Sequence, residues 1–249
     1  MSGLVSVIMG MHRIDAFVDQ AIYSVLRQSY ENFEFIIIAN GNARDDVCRY
    51  INDKFKDNRL ILLSTEVGGL AHALNVGISA SRGGLVARMD ADDIMHVERL
   101  TRQVEFLSEN NLDVVGSGAN LIDINGNVVG KRIMPNGSAI EKMLPYKNPF
   151  IHPSVLYRKK VVIDAKGYNS GLNSEDYDLW LRLSRLGVRW DNVGEDLLDY
   201  RIHSNSSQGS RNAYAECAGY ALREFCLRRN LKNFGAIFSW VFKSLVRSK

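Results

Sequence analysis

The feature that most constrains what this chain can fold into is a two-part pattern, apolar run then helical periodicity, that recurs through the first ninety residues. Leu4-Val5-Ser6-Val7-Ile8-Met9 is a β-branched run stopped by Gly10, and Val18, Ile22, Val25 and Leu26 then fall at helical spacing after Asp15. Phe33 to Ile38 is apolar at nearly every position, as a strand covered on both faces should be, and Asn40-Gly41-Asn42 turns it toward a helix carrying Val47, Ile51 and Phe55. Arg59 to Leu63, Gly68-Gly69 and Leu70 to Ser81 repeat the unit, and Leu85 to Met89 begins a fourth strand. Alternation of this kind implies a doubly wound, mostly parallel α/β sheet with right-handed crossovers and helices on both faces. At 249 residues and 46% hydrophobic, the chain can bury one such core.

The fourth strand stops in Arg88-Met89-Asp90-Ala91-Asp92-Asp93. Carboxylates this close repel one another, and a hard divalent cation with oxygen ligands is the usual remedy; the plainer reading is a solvated loop capping the next helix. Sheets of this class bind ligands beyond the carboxyl ends of their strands. The ends in view are Gly10 to His12, Asn40, Glu66 to Gly69, and Asp90 to Asp93. Gly10-Met11-His12-Arg13 does not supply the G-x-G-x-x-G of a dinucleotide site, and no Walker A pattern is present. The Asn40 amide can donate and accept together, matching the edge of a uracil ring, although Asn-Gly-Asn is equally good as a turn.

Past the acids the pattern becomes antiparallel. Val97, Leu100, Val104 and Leu107 mark a helix, Asp113 to Ser117 a strand, and Asn120 to Val129 a hairpin turning at Asn125-Gly126. Ser138 to Leu144 reads as a short helix, and Asn148 to Pro153, containing His152, as a rigid connection into Ser154 to Arg158 that would wall an acceptor pocket. Glu175-Asp176 heads a further helix, where helical spacing puts Asp176, Trp180 and Leu183 along one side. Acids favour first turns for dipole reasons alone, at a few tenths of a kcal/mol to about 1 each. Two separate acid sets, one of metal-binding type and one beside an aromatic, suggest more: one to hold a phosphate-bearing donor, the other to activate a nucleophile.

Residues 222–249 carry seven Lys/Arg and one Glu, so the basic character of the chain, net +3, belongs to its C-terminus. There Phe234, Ile237, Phe238, Val241, Phe242 and Leu245 form an apolar helical face with Trp240 beside it, suited to a membrane surface or to packing on the domain. Cys48, Cys217 and Cys226 have no paired spacing, which points to a reducing compartment. The absence of a signal-like N-terminus and of a membrane-length apolar run leads us to expect a cytoplasmic protein.

Together these residues resemble the bacterial family 2 glycosyltransferases of GT-A fold, of the type that builds O-antigen or capsular repeat units. The resemblance covers roughly residues 4–208: Val5 to Met9 looks like the opening strand, Gln28 to Glu34 the approach to the second, Gly69 to Gly77 the third helix, Arg88 to Asp93 the DXD region, Ser174 to Leu183 the E-D helix, and Tyr200 to Ser207 the loop that closes over the donor diphosphate. The resemblance implies a nucleotide-sugar half, 1–118, an acceptor and catalytic half, 119–221, and a tail, 222–249. It implies a UDP-sugar donor, a polyprenyl-diphosphate-linked acceptor and Mn²⁺ or Mg²⁺. Gly10, His12, Asn40, Gly69, Arg88, Asp90 and Arg201 would line the donor site, with Asp92, Asp90 and His203 on the metal and Trp180 and His152 toward the acceptor. Asp176, beside Glu175, would be the general base of an inverting transfer. A membrane surface at the C-terminal helix and a second copy of the chain complete the expected partners, and nucleic acid is not among them. Two departures stand out: Gly10-Met11-His12-Arg13 replaces the usual Pro-x-Tyr-Asn, and Ala39-Asn40 the usual paired aspartates. A sugar-nucleotide pyrophosphorylase and a non-catalytic sugar-nucleotide-binding module are the alternatives. Neither fits as well, the first for want of a glycine-rich basic loop after Met9, the second because both acid sets are present.

Overall fold

A computed structural model describes residues 3–169, 171, 173–202 and 211–246. Strands β1 (Val5–Met11), β2 (Phe33–Asn40), β3 (Leu60–Thr65) and β4 (Leu85–Arg88) pair in parallel in the order β3-β2-β1-β4. They alternate with α1 (Val18–Leu26), α2 (Arg44–Lys54) and α3 (Leu70–Ala80), as the apolar runs require. Every residue of β2 is buried, which explains the unbroken hydrophobicity of Phe35 to Ile38.

The sheet then changes character. After β5 (Ile94–Met95), α4 (Arg99–Glu109), β6 (Val114–Ile122), β7 (Val128–Arg132), α5 (Ser138–Met143), β8 (Leu156–Arg158), α6 (Lys159–Asp164), α7 (Glu175–Arg185) and β9 (Trp190–Arg201), the order continues β4-β8-β6-β9-β5, with β7 pairing β6. β8 runs antiparallel to both β4 and β6, whereas β9 is parallel to β6. The expected hairpin is present, but its first strand is the continuation of β6 rather than a separate element. β9 was not legible as a strand: its twelve residues include Asp191, Glu195, Asp196 and Asp199, and its register with β6 shifts twice. Tyr200 and Arg201, expected in a loop, are its last two residues.

Two apolar layers flank the sheet. One joins α1, α2 and α4 through Ile22, Val25, Val47, Ile51 and Leu100, and the other gathers α3, α5, α6 and α7 through Leu74, Ile140, Val162 and Trp180. The second layer also takes in the C-terminal helices α8 (Arg211–Leu227) and α9 (Leu231–Val246), through Cys217, Ala221, Ala236 and Trp240. α8 runs across residue 221, so the step in charge there falls inside a helix. The C-terminal helix is thus packed on the domain along one side. Its other side remains apolar and exposed at Phe234, Phe238, Phe242 and Leu245.

α3 approaches the sheet closely where it lacks a side chain. A Cβ at Gly77 would lie 2.8 Å from Ile38 Cδ1 and 3.1 Å from Ile8 Cγ2. Gly77→Val should therefore destabilise the protein by about 3 kcal/mol through overpacking, and a urea titration would show it as a lowered midpoint at unchanged slope.

Candidate active site

The three aspartates expected at the end of β4 do cluster. One carboxylate oxygen from each of Asp90, Asp92 and Asp93 can be chosen so that all lie within 4.8 Å of one another. Directly beneath is Arg88, 2% exposed, whose Nη1 stands 2.5 Å from Asp90 Oδ2. Burial works against the Arg88 charge, but the Asp90 carboxylate outweighs it and holds the guanidinium above its ordinary range. Burial, then repulsion from Asp90 and Asp92, pushes the Asp93 carboxyl well up, and Asp90 also moves upward, chiefly from burial. Asp93 Oδ2 is buried and has no hydrogen-bond donor. An orphaned carboxylate oxygen in a set of three hard oxygen ligands is the chemistry a divalent cation satisfies, so the residues fit Mg²⁺ or Mn²⁺. Asp93 is the ligand candidate that the x-D-x-D spacing alone did not single out.

Arg201 closes the cluster from behind. Its backbone N–H donates to Asp93 Oδ1 at 2.8 Å, and its guanidinium donates to Asp92 O, Asp123 O and Gln20 Oε1 at 2.8 to 2.9 Å. The guanidinium also lies over the Phe17 ring, 4.2 Å from its centroid. With 2% of the residue exposed, Arg201 is a buried strut of the acidic loop here, not the free phosphate ligand expected from its place in the sequence. His203 lies outside the described residues.

The expected base-binding end also differs. The Asn40 amide is 3% exposed, with Nδ2 donating to Met11 O at 2.9 Å and Oδ1 accepting from the Gly69 N–H at 3.1 Å. Its Nδ2 ties the amide to the end of β1 and its Oδ1 to the α3 turn, so both polar edges are engaged by main chain. Gly69, at φ 122°, turns the chain into α3, and Gly10 sits where a Cβ would come within 3.1 Å of Ala73 Cβ. His12 is exposed at the end of β1.

The second acid pair opens α7. Asp176 Oδ1 accepts from the Tyr177 N–H at 2.7 Å, and Oδ2 accepts from Asn148 Nδ2 at 2.5 Å. Asn148 comes from the rigid Asn-Pro segment, and its part was not visible in the sequence. Burial raises the Asp176 carboxyl against these two donors. Glu175 is pushed up to about 7, first by burial and then by Asp176. His152 Nδ1 lies 3.8 Å from Glu175 Oε1, yet burial, with Arg88 adding to it, keeps this imidazole neutral. The contact is therefore not an ion pair. His152 is 8% exposed and its Nε2 meets the Tyr168 hydroxyl at 3.0 Å. Trp180, expected toward the acceptor, is fully buried against Phe150 and His152, so its indole offers no exposed face to a sugar. Arg88 exerts its field on Asp90, Glu175 and Asp176 alike, which places both acid sets around one buried cation.

A family model described as glycosyl transferase family 2 matches residues 6–165. The O-antigen biosynthesis glycosyltransferase WbnJ of Escherichia coli is 42% identical over 247 residues, spanning 98% of this chain and 97% of that protein. An E. coli UDP-Gal:alpha-D-GlcNAc-diphosphoundecaprenol beta-1,3-galactosyltransferase is 27% identical, over 82% of this chain and 76% of its own. In fold the chain is similar to S. aureus TarS 1–349 solved with UDP-GlcNAc, at TM-score 0.65 and 15% identity, over 97% of this chain and 80% of the other.

The Glu175 environment sets a pH dependence of stability. From about pH 4.5 to 7 the unfolded chain releases this proton while the folded chain keeps it, so folding stability falls as pH rises through that window and then levels off. Glu175→Gln removes the effect. Its stability should match the parent near pH 4.5 and exceed it by up to about 3 kcal/mol at pH 8, read as a widening gap in urea midpoints.

Proposed function

The chain belongs to glycosyl transferase family 2, and from that premise we propose that it moves a hexose or N-acetylhexosamine from a UDP-sugar to a sugar hydroxyl of a polyprenyl-diphosphate-linked acceptor, with inversion, in O-antigen or capsule repeat-unit assembly. The observation that carries this reading is the cluster of Asp90, Asp92 and Asp93 past the carboxyl end of β4, with Glu175 and Asp176 at the start of α7 in the field of the same buried Arg88. The names of the relatives support the donor and acceptor classes, since one bears O-antigen biosynthesis and another UDP-Gal and a diphosphoundecaprenol-linked sugar.

Asp176 is the base. Two donors orient its carboxylate, each oxygen keeps a lone pair, and burial raises its proton affinity toward that of a useful base. It removes the acceptor proton as the oxygen attacks the anomeric carbon opposite the nucleotide, the sugar–phosphate bond breaks, and UDP leaves. Asp90, Asp92 and Asp93 would hold the divalent cation, which when bound offsets the charge of the departing diphosphate. With Asn40 engaged on main chain, uracil recognition falls to the backbone of the first loop, to His12 and to the Glu66 to Gly69 turn.

A membrane surface is the further partner of this reading, at the cytoplasmic face. Phe238 and Phe242 are 61% and 66% exposed on α9, and Arg228, Arg229 and Lys232 are exposed where that helix begins. Among the described residues no helix is long and apolar enough to cross a membrane. An interfacial helix with a cationic rim suits anionic lipid, whereas two such rims would repel across a symmetric dimer.

Purified protein incubated with UDP-sugars and a synthetic polyprenyl-type acceptor tests the whole reading, with a β-linked product expected from an α-linked donor; a retained configuration would sink single displacement. Asp176→Asn should lower kcat by ~10²–10⁴ with UDP affinity nearly intact. Chelator or Asp92→Asn should weaken UDP binding in calorimetry at least tenfold, on the order of 1.4 kcal/mol; unchanged binding would remove the metal from the scheme. Phe238→Asp combined with Phe242→Asp should abolish sedimentation with anionic liposomes and spare transfer to a soluble acceptor.

A further inference from the structure

Both oxygens of Asp176 are held, and both holds lead to α9. The first runs through Tyr177, whose N–H meets Asp176 Oδ1 and whose buried ring lies 5.1 Å from that of Trp240. The Tyr177 hydroxyl donates to Leu144 O at 2.7 Å and accepts from Trp240 Nε1 at 3.2 Å. The second runs through the segment that delivers Asn148 to Asp176 Oδ2. Trp240 Nε1 donates to Pro145 O at 2.9 Å, Lys243 Nζ donates to Tyr146 O, and the Tyr146 hydroxyl donates to Lys232 O at 3.2 Å. One indole N–H thus reaches the two polypeptide segments that orient the candidate base.

α8 reinforces the same turn. Glu216 accepts from the Ser174 hydroxyl at 2.5 Å, immediately before α7, and Arg223 pairs with Asp178 one turn on. Such density of polar contact is more than apolar docking of a terminal helix requires.

We propose that Trp240 is a positioning residue for the reaction: by pinning Tyr177 and the 144–148 segment together, α9 fixes the orientation in which the Asp176 carboxylate meets the acceptor hydroxyl. This rests on Asp176 being the base. Trp240 is 6% exposed and its N–H is spent on Pro145 O and the Tyr177 hydroxyl, so its effect on Asp176 is relayed through those two partners. Displacement of a reacting group by about 1 Å can cost a hundredfold in rate, so a small loss of register is measurable.

The test is Trp240→Phe, which keeps an aromatic ring and deletes the N–H donor, assayed beside Asn148→Ala and Asp176→Asn in the full chain. Trp240→Phe should lower kcat about five- to fiftyfold with donor KM and UDP affinity unchanged. It should also move the acidic limb of the kcat profile to higher pH, because looser donors stabilise the ionised carboxylate less. The groups whose charge bears on that limb are Glu175 on α7, Arg88 of β4, Tyr168 after α6 and Cys217 on α8, all retained in the variant. Asn148→Ala should shift the limb the same way, and the double variant should lose less than the product of the two single effects. A lowered melting temperature with kcat and the limb unmoved would overturn the proposal and leave α9 a purely structural prop. Should Trp240→Phe not fold, Tyr177→Phe removes the shared hydroxyl while keeping its ring, and is read by the same two criteria. Asp176→Asn within threefold of the parent kcat would instead refute the base assignment itself, whatever Trp240→Phe does.

Discussion

Repulsion among Asp90, Asp92 and Asp93 is the constraint to which the rest of the structure answers. Three carboxylates are presented together at the end of one short strand, and only surrounding positive charge and fixed donors keep that end from splaying. Arg88 supplies charge from below, and Arg201 supplies a backbone N–H to Asp93 and a guanidinium to the carbonyl of Asp92. A third buried guanidinium, Arg99, donates to Arg88 O and Val155 O; burial and the Arg88 charge bring it down to about 9, while Asp93 opposes the fall. All three are out of water, and Arg88 sits on the strand where the parallel and antiparallel halves of the sheet meet, between β1 and β8.

That seam is also where the sequence stops being easy to read. In the parallel half β1, β2 and β4 are buried almost throughout, edge strand β3 is partly covered, and each helix shows an apolar stripe, so periodicity alone located β1 to β4 within two residues and α3 within one. β9 escaped because its exposed or polar-paired acids break the alternation: Asp196 meets Lys131, and Asp199 meets His96 and Asn120 across the sheet. α8 escaped for a related reason, being pinned by ion pairs rather than by a continuous apolar stripe.

The acids of the site were legible because clustered carboxylates are uncommon and have few uses. The long polar side chains were not, because a residue's identity does not say which way it points. Asn40, Arg201 and Trp180 are all placed near the expected pocket, yet each is turned inward and satisfied or enclosed by protein. Asn148, conversely, looked like turn punctuation before Pro149 and proves to touch Asp176. Only long-range pairing, 28 residues apart in this instance, distinguishes the two outcomes.

α9 is apolar on two sides. Ala236 and Trp240 face the domain, while Phe234, Phe238 and Phe242 face outward. A helix of this kind cannot be treated as an interchangeable module. Grafting the tail of one relative onto the catalytic body of another would carry over the outward face largely intact, since its one ring contact outside α9 is that of Phe234 with Phe225 of α8 among the described residues. The inward face must match the hydroxyl of Tyr177 and the carbonyls of Pro145 and Tyr146 in the recipient. Chimeras should consequently sort by whether these inner partners were inherited together, and drift in the outer residues is free to proceed at a different pace.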